Sequence, residues 1–155
     1  MGEGSHVRLL TLVPLRLFAG WALLRSGLSM LSAHWLTEPK LTEEVGGWLE
    51  RGAPFAWFAP FLKNTVLTHA SLFSYLVVWG EILVGACLLV GLFTRPAALF
   101  GTAMAVSFVL AQGELPSATP AWAFVAICFT LLVAAPGRVL GVDQALRGRV
   151  PRWLS

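Results

Sequence analysis

The chain has 155 residues, of which 57% are hydrophobic and only 12% are charged, and its net charge is +3. A soluble domain carries about 25% charged residues, so most of this chain is expected to lie in lipid. The mean hydropathy of +0.74 points the same way. The net charge is too small to indicate a nucleic-acid partner, and the middle of the chain has no basic stripe. The length fits one domain, residues 1–155.

Four apolar runs predict an all-α membrane protein, a bundle of four transmembrane helices. A spanning helix needs about 20 residues, in a usual range of about 17–25, so the last two runs are at the short edge. The first run is longer than the apolar region of a signal peptide, about 7–15 residues, and we expect it to be retained. The predicted spans are residues 9–33, 71–93, 96–112 and 120–135.

Proline and threonine mark the ends of the later spans. Pro96 lies where the first turn of a helix tolerates proline, after a turn so short that spans two and three should form an antiparallel hairpin. Thr119 is a predicted N-cap, with Pro120 as the first helical residue. Pro136 and Gly137 are predicted to close the fourth span.

The long connection at residues 35–70 is rich in aromatic and charged residues, which is typical of a segment at the headgroup level. We expect it to form an outer amphipathic and aromatic cap, with a short helix at 41–49. Basic residues near the span ends favour both termini inside, and an amphipathic tail at 138–155 is expected to lie on the inner leaflet. The sequence therefore predicts a multi-pass protein of the bacterial cytoplasmic (inner) membrane.

Three charged residues fall inside the predicted spans: Arg16, Arg25 and Glu81. A charge at mid-bilayer costs about 2.5–3.5 kcal/mol on insertion scales, so it is usually paired and often functional. Counted along the helices from their inner ends, Arg16 should lie roughly 10 Å deep, Glu81 roughly 18 Å and Arg25 roughly 24 Å. Glu81 is thus within reach of either arginine if the first two spans are neighbours.

The helical period favours Arg16 as the inward-facing partner. Arg16 shares a face with Gly20 and Gly27, and small residues permit close helix packing. Arg25 lies instead with Trp21, nearer the outer surface, where its side chain can snorkel. On the second span a comparable stripe of small residues consists of Gly80, Val84, Cys87 and Gly91, with Glu81 and Gly85 on the adjacent face.

These buried charges have alternative interpretations. An Arg16–Glu81 ion pair could lock two helices together. The same residues could form a buried polar site for a quinone headgroup, a proton or a small substrate. In a third interpretation, the Arg25 side chain only snorkels to the membrane surface, and Glu81 is protonated without a charged partner.

His34 and His69 bracket the outer loop and could lie close together above Glu81. Such a pair could bind a quinone carbonyl, shuttle protons or hold a metal, or be two interfacial histidines with water partners. No third ligand stands at a diagnostic spacing, so no metal site is expected. Cys87 and Cys128 lie in apolar runs and read as small buried hydrophobes, with a disulfide or redox pair as the alternative.

Several segments together resemble the DoxX-like membrane family: GEILVG at residues 80–85, GLFTR at 91–95, LRLFAG at 15–20, and PGR at 136–138 with GVD at 141–143. The resemblance covers about residues 14–149. The long outer loop makes the chain most similar to the DoxD branch, the small membrane subunit of thiosulfate:quinone oxidoreductase. Family members generally have four transmembrane helices.

The resemblance implies a membrane subunit of a quinone-linked oxidoreductase, with electrons passing from thiosulfate or another reduced sulfur compound to membrane quinone. On this hypothesis Glu81, Arg16 and His69 are the candidate catalytic residues. Quinone would be bound by the same three residues with Arg25 and His34, and no metal is involved. The implied partners are the lipid bilayer, a soluble or membrane redox subunit, and possible second copies in a homodimer.

The alternative hypothesis is a non-catalytic scaffold or assembly factor for a redox or stress-response complex. The Arg16–Glu81 pair would then only fix the register between the first two helices, and the aromatic loop would bind a partner protein. A transporter ranks lower, because four short helices need a dimer to enclose a path. No nucleotide-binding, nucleophile-elbow or haem-attachment motif is present.

Overall fold

The computed structural model describes residues 11–52, 54–113, 115, 118–134 and 141–142. These residues form helices and no strand, so the all-α prediction is confirmed. The predicted helix stop at Pro136 and most of the predicted inner tail lie outside the described residues. The helices are α1 (Val13–Ser32), α2 (Lys40–Glu50), α3 (Ala59–Phe61, continued by a π-helical turn over Leu62–Val66), α4 (Ala70–Val90), α5 (Thr94–Gln112) and α6 (Thr119–Ala134).

Two of the described helices, α4 and α5, are long and apolar enough to cross a membrane, with 21 and 19 residues. Helix α6 is as apolar but has 16 residues, about 24 Å of helix against a hydrocarbon core of about 30 Å. Helix α1 has 20 residues but includes Arg16 and Arg25. The count of four crossings therefore stays a prediction.

Helices α1 and α4 pack antiparallel through glycines. Gly20 contacts Gly85 and Leu89, and Gly27 contacts the backbone of Ile82. Residue numbers therefore increase along α1 in the direction in which they decrease along α4. A Cβ atom on Gly85 would lie only 2.5 Å from the backbone nitrogen of α1 residue Leu24. The two backbones therefore touch at positions where no side chain fits.

Of the two faces of α4 distinguished in the sequence, the face of Glu81 and Gly85 makes this contact. Gly80, from the small-residue stripe, faces α5 instead, where a Cβ atom would lie 3.1 Å from the sulfur of Met104. Its missing side chain makes room for that methionine. Helix α4 thus uses neighbouring faces for its two neighbours.

A tight turn joins α4 to α5, as predicted. Gly91 ends α4 with a left-handed φ of 70°, and Phe93 also has a positive φ, of 47°. A left-handed glycine is a common way to end a helix, because it lacks the Cβ atom that penalises this conformation. Thr94 then begins α5 with no exposed surface. The turn makes α4 and α5 antiparallel neighbours.

The segment at residues 35–70 folds over one end of the bundle, the end that carries His34 and His69, which we call the outer end. Helix α2 coincides with the short helix expected at 41–49. Its apolar face packs on π-turn residues and on α5, where the rings of Trp48 and Phe108 meet edge to face at 6.4 Å. We call residues 35–70 the cap.

Candidate functional site

A cavity of about 260 Å³ lies in the centre of the bundle between α1, α4, α5 and α6. It extends from Gly101 to Gln112 along α5, about 16 Å of helix. Most of its wall is apolar, and its hydrogen-bonding side chains are Ser26, Glu81 and Gln112. We call it the central cavity.

Among the described residues that line the central cavity, Glu81 is the only ionisable one, and its side chain is buried, with 5% of its surface exposed. Ser26 of α1 donates a hydrogen bond to its carboxylate. The second oxygen, Oε2, has no hydrogen-bond partner among the described residues. A buried acceptor left without a donor costs roughly 1–3 kcal/mol. A hydrogen-bond donor for Oε2 would therefore have to come from outside the described residues.

Gln112, at the outer end of α5, repeats this pattern. Its amide oxygen is buried, has no hydrogen-bond partner among the described residues, and belongs to a residue lining the same cavity as Glu81. The central cavity thus combines a carboxylate oxygen and an amide oxygen that both lack donors. Sequence reasoning missed Gln112, although an amide at the end of an apolar run is a signal that could have singled it out.

Arg16 is buried, with 2% of its surface exposed, but the prediction that it pairs with Glu81 is wrong. A Cβ atom on Gly91 would lie 2.6 Å from Arg16 Nη1, which places the guanidinium at the inner end of α4. Glu81 lies beside Gly27, about 16 Å further along α1. Neither the ion pair nor a shared site of these two residues is formed.

A family model described as DoxX matches residues 11–113. The chain belongs to the DoxX family. The matched range contains Arg16, Ser26, Glu81 and Gln112, and it ends before α6. No solved structure matches the chain. Family membership and the apolar helices make this a membrane-type protein, in contact with lipid.

Arg25 of this DoxX protein lies outside the central cavity. Its guanidinium carbon is 5.6 Å from the centre of the Trp21 ring, a cation–π contact on an exposed face of α1. The helical period had placed these two residues together. The expectation that Arg25 could instead reach Glu81 is wrong.

The two histidines also lie away from the central cavity. His34 is exposed and has a left-handed φ of 60° just beyond the end of α1. His69 is exposed, and its ring Nδ1 lies 3.1 Å from the carbonyl oxygen of Thr65 in the cap. Neither lines the cavity of Glu81, so the expected cluster of both histidines above that carboxylate is not formed within it.

Cys128 has no exposed surface and packs against Gly101 of α5. It forms no disulfide with Cys87, which leaves its reading as a small buried hydrophobe. In the part of the chain that the structure describes, no three histidine, cysteine or acidic side chains come together.

Proposed function

We propose that this DoxX protein binds the headgroup of a membrane quinone in the central cavity, as the membrane subunit of a quinone-linked oxidoreductase. The observation that carries the proposal is a pair of buried oxygens in one cavity, on Glu81 and Gln112, that have no hydrogen-bond partner among the described residues. The two hydroxyl groups of a hydroquinone are donors that match two such acceptors.

The polar groups also suit the oxidised form. A quinone carbonyl needs a donor, and the Ser26 hydroxyl, the Gln112 amide nitrogen and a protonated Glu81 can each provide one. The apolar wall suits the faces of the ring. The volume of about 260 Å³ lies just below the usual range for drug-sized ligands, about 300–1,000 Å³, which favours a single ring over a larger ligand.

Reduction of a quinone to a hydroquinone consumes two electrons and two protons. In this proposal Glu81 delivers one proton to a quinone oxygen, is protonated again from the outer end, and delivers the second. The electrons come from a reduced sulfur compound, for which thiosulfate is expected. That anion is oxidised on a partner subunit, because the lining of the central cavity contains a carboxylate and no cationic residue.

A scaffold role would use Glu81 to fix α1 against α4. That contact is made by Gly20, Gly27 and Gly85, and Glu81 forms no ion pair with Arg16. Glu81 does accept a hydrogen bond from Ser26 of α1, but its second oxygen has no partner among the described residues, so that oxygen is available for a ligand.

The test is binding of tail-free 2,3-dimethoxy-5-methylhydroquinone to the full chain in lipid nanodiscs. We expect the Kd to rise about tenfold or more in Glu81→Gln, because a hydrogen bond to a charged group contributes about 1.5–3 kcal/mol. Glu44→Gln removes an exposed carboxylate from the cap helix and should leave the Kd unchanged. No binding by the wild type, or equal effects of both variants, would contradict the proposal.

A second measurement addresses the donor. With its redox partner added, the wild type should reduce quinone when thiosulfate is supplied, and Glu81→Gln should not. If hydroquinone binds but thiosulfate supports no reduction, the headgroup site stands and the sulfur donor is wrong.

A further inference from the structure

A second cavity, of about 280 Å³, lies between the cap and the outer halves of α4 and α5. We call it the cap cavity. Its lining residues carry no charge, and Ser107 is the only one with a polar side chain apart from the indole of Trp48. It is an apolar space, suited to a hydrocarbon chain and unsuited to a polar group. Aromatic rings dominate its wall: Trp48, Phe58, Phe61, Phe73, Phe100 and Phe108.

The cap cavity and the central cavity share a wall. Met104 and Phe108 of α5 line both of them. The Met104 thioether lies in the space left by Gly80, the residue before Glu81. Methionine is unbranched and adapts to irregular spaces. A flexible side chain therefore separates an apolar space from a space with a buried carboxylate.

The cap cavity also opens at the lateral surface of the bundle. Leu76 and Phe100 line it while remaining 57% and 64% exposed. They belong to α4 and α5, the two helices apolar enough to cross a membrane, so this side of the cavity adjoins lipid.

The π-helical turn of the cap forms part of the same wall, through Leu62 and Val66. Turns of this kind are rare in proteins, and those that do occur are frequently found at functional sites. The π-helical turn is an observation separate from the wall that the two cavities share and from the side of the cap cavity that faces lipid.

From these relations we propose that one amphipathic molecule occupies both cavities, with a hydroquinone headgroup beside Glu81 and an apolar tail beneath the cap. The inference rests on the proposed function and names its substrate class: quinones that carry a hydrocarbon tail. The tail reaches the cap cavity from lipid between α4 and α5, and Met104 and Phe108 enclose the junction of tail and headgroup.

The test compares decylubiquinol with the tail-free hydroquinone in nanodiscs of one lipid composition. Ala103→Phe adds bulk at an exposed position that lines the cap cavity only. Overfilling a packed apolar space changes an equilibrium constant by about tenfold or more. We therefore expect Ala103→Phe to weaken binding of decylubiquinol about tenfold. The Kd of the tail-free headgroup should stay within about twofold of the wild type, because that variant leaves the central cavity unchanged.

Val106→Phe is the matched control, since it makes a similar change on α5 at a position that is 38% exposed and lines neither cavity. It should change neither Kd, and comparison with the wild type cancels the partition of the decyl tail into lipid. Equal effects of Ala103→Phe on both ligands, or on neither, overturn the tail site, as does an equal loss in Val106→Phe. Failure of the wild type to bind the tail-free headgroup would instead overturn the proposed function.

Discussion

Gly85 of α4 lies directly against Gly20 of α1: a Cβ atom on Gly85 would be 2.8 Å from the Gly20 carbonyl oxygen and 2.5 Å from the next turn's Leu24 nitrogen. Both neighbours are backbone atoms, which cannot rotate away as a side chain can. The two helices can therefore accept a larger residue at either position only by separating.

Gly85→Ala should lower the free energy of unfolding by about 1–3 kcal/mol, because added atoms in a close-packed contact force backbone shifts. Thermal unfolding of the purified protein in detergent is the measurement. Gly46→Ala in α2 is the control, since no atom lies within 4 Å of its added Cβ. It should be neutral or stabilising by about 0.5–1 kcal/mol, because alanine is the better helix former. A Gly85→Ala variant as stable as Gly46→Ala would contradict the contact.

Gly91→Ala should destabilise the protein for two separable reasons. The left-handed φ of 70° costs a residue with a Cβ atom roughly 1–2 kcal/mol, and the new atom would also lie 2.6 Å from Nη1 of Arg16 and 2.8 Å from the backbone Cα of Gly141. Gly52 has a similar φ of 63° but no atom within 4 Å of an added Cβ. Gly52→Ala should therefore show the conformational cost alone. Equal losses in the two variants, measured by thermal unfolding, would contradict the close approach of Arg16 and Gly141 to Gly91.

Glu81→Leu should raise the melting temperature while it abolishes binding of the tail-free hydroquinone. A buried carboxylate with one oxygen lacking a donor is destabilising, and its replacement by an apolar side chain removes that cost, about 1–3 kcal/mol. Glu44→Leu, at an exposed position, should leave both measurements near the wild type. A Glu81→Leu protein that melts at a lower temperature would show that Glu81 holds the bundle together, as the scaffold hypothesis requires.

Trp48→Ala should detach the cap from the bundle. Trp48 is only 9% exposed and its ring packs against Phe108, and deletion of a buried tryptophan costs about 3–5 kcal/mol. Trp57, in the same cap, is 68% exposed, so Trp57→Ala should cost far less. Limited proteolysis is the measurement, with faster cleavage within residues 35–70 expected in Trp48→Ala alone. Equal cleavage of both variants would contradict this packing.

Sequence reasoning located the helices well, because their apolar length and the proline and glycine residues at their ends are local features. It also placed Arg16 and Glu81 on buried faces, since a helical period depends on one helix alone. The partner of Glu81 depends on how two helices slide past each other. The depth estimate assumed that the inner ends of the predicted spans lie at one level. It placed Glu81 about 9 Å too near the inner end of α1, because the Gly20–Gly85 contact sets a different register between the two helices.

Gln112 could not be found by the same reasoning. Its position in the central cavity depends on the rotation of α5 and on the closure of the bundle by α6, and neither follows from a local pattern. The histidines show the converse problem. His34 and His69 lie near the same end of the bundle, as predicted, but nearness to one end of a bundle does not bring a side chain into its interior.

Helix α6 lies outside the range that matches the family, yet its residues Pro120, Ala121 and Phe124 complete the central cavity. The glycines that hold α1 to α4 and the carboxylate of Glu81 belong to the matched range. The central cavity is thus formed by the matched range together with α6, whereas the glycine contact between α1 and α4 lies wholly within the matched range. Substitutions in the outer half of α6 can therefore change the shape of the central cavity while the α1–α4 contact stays intact.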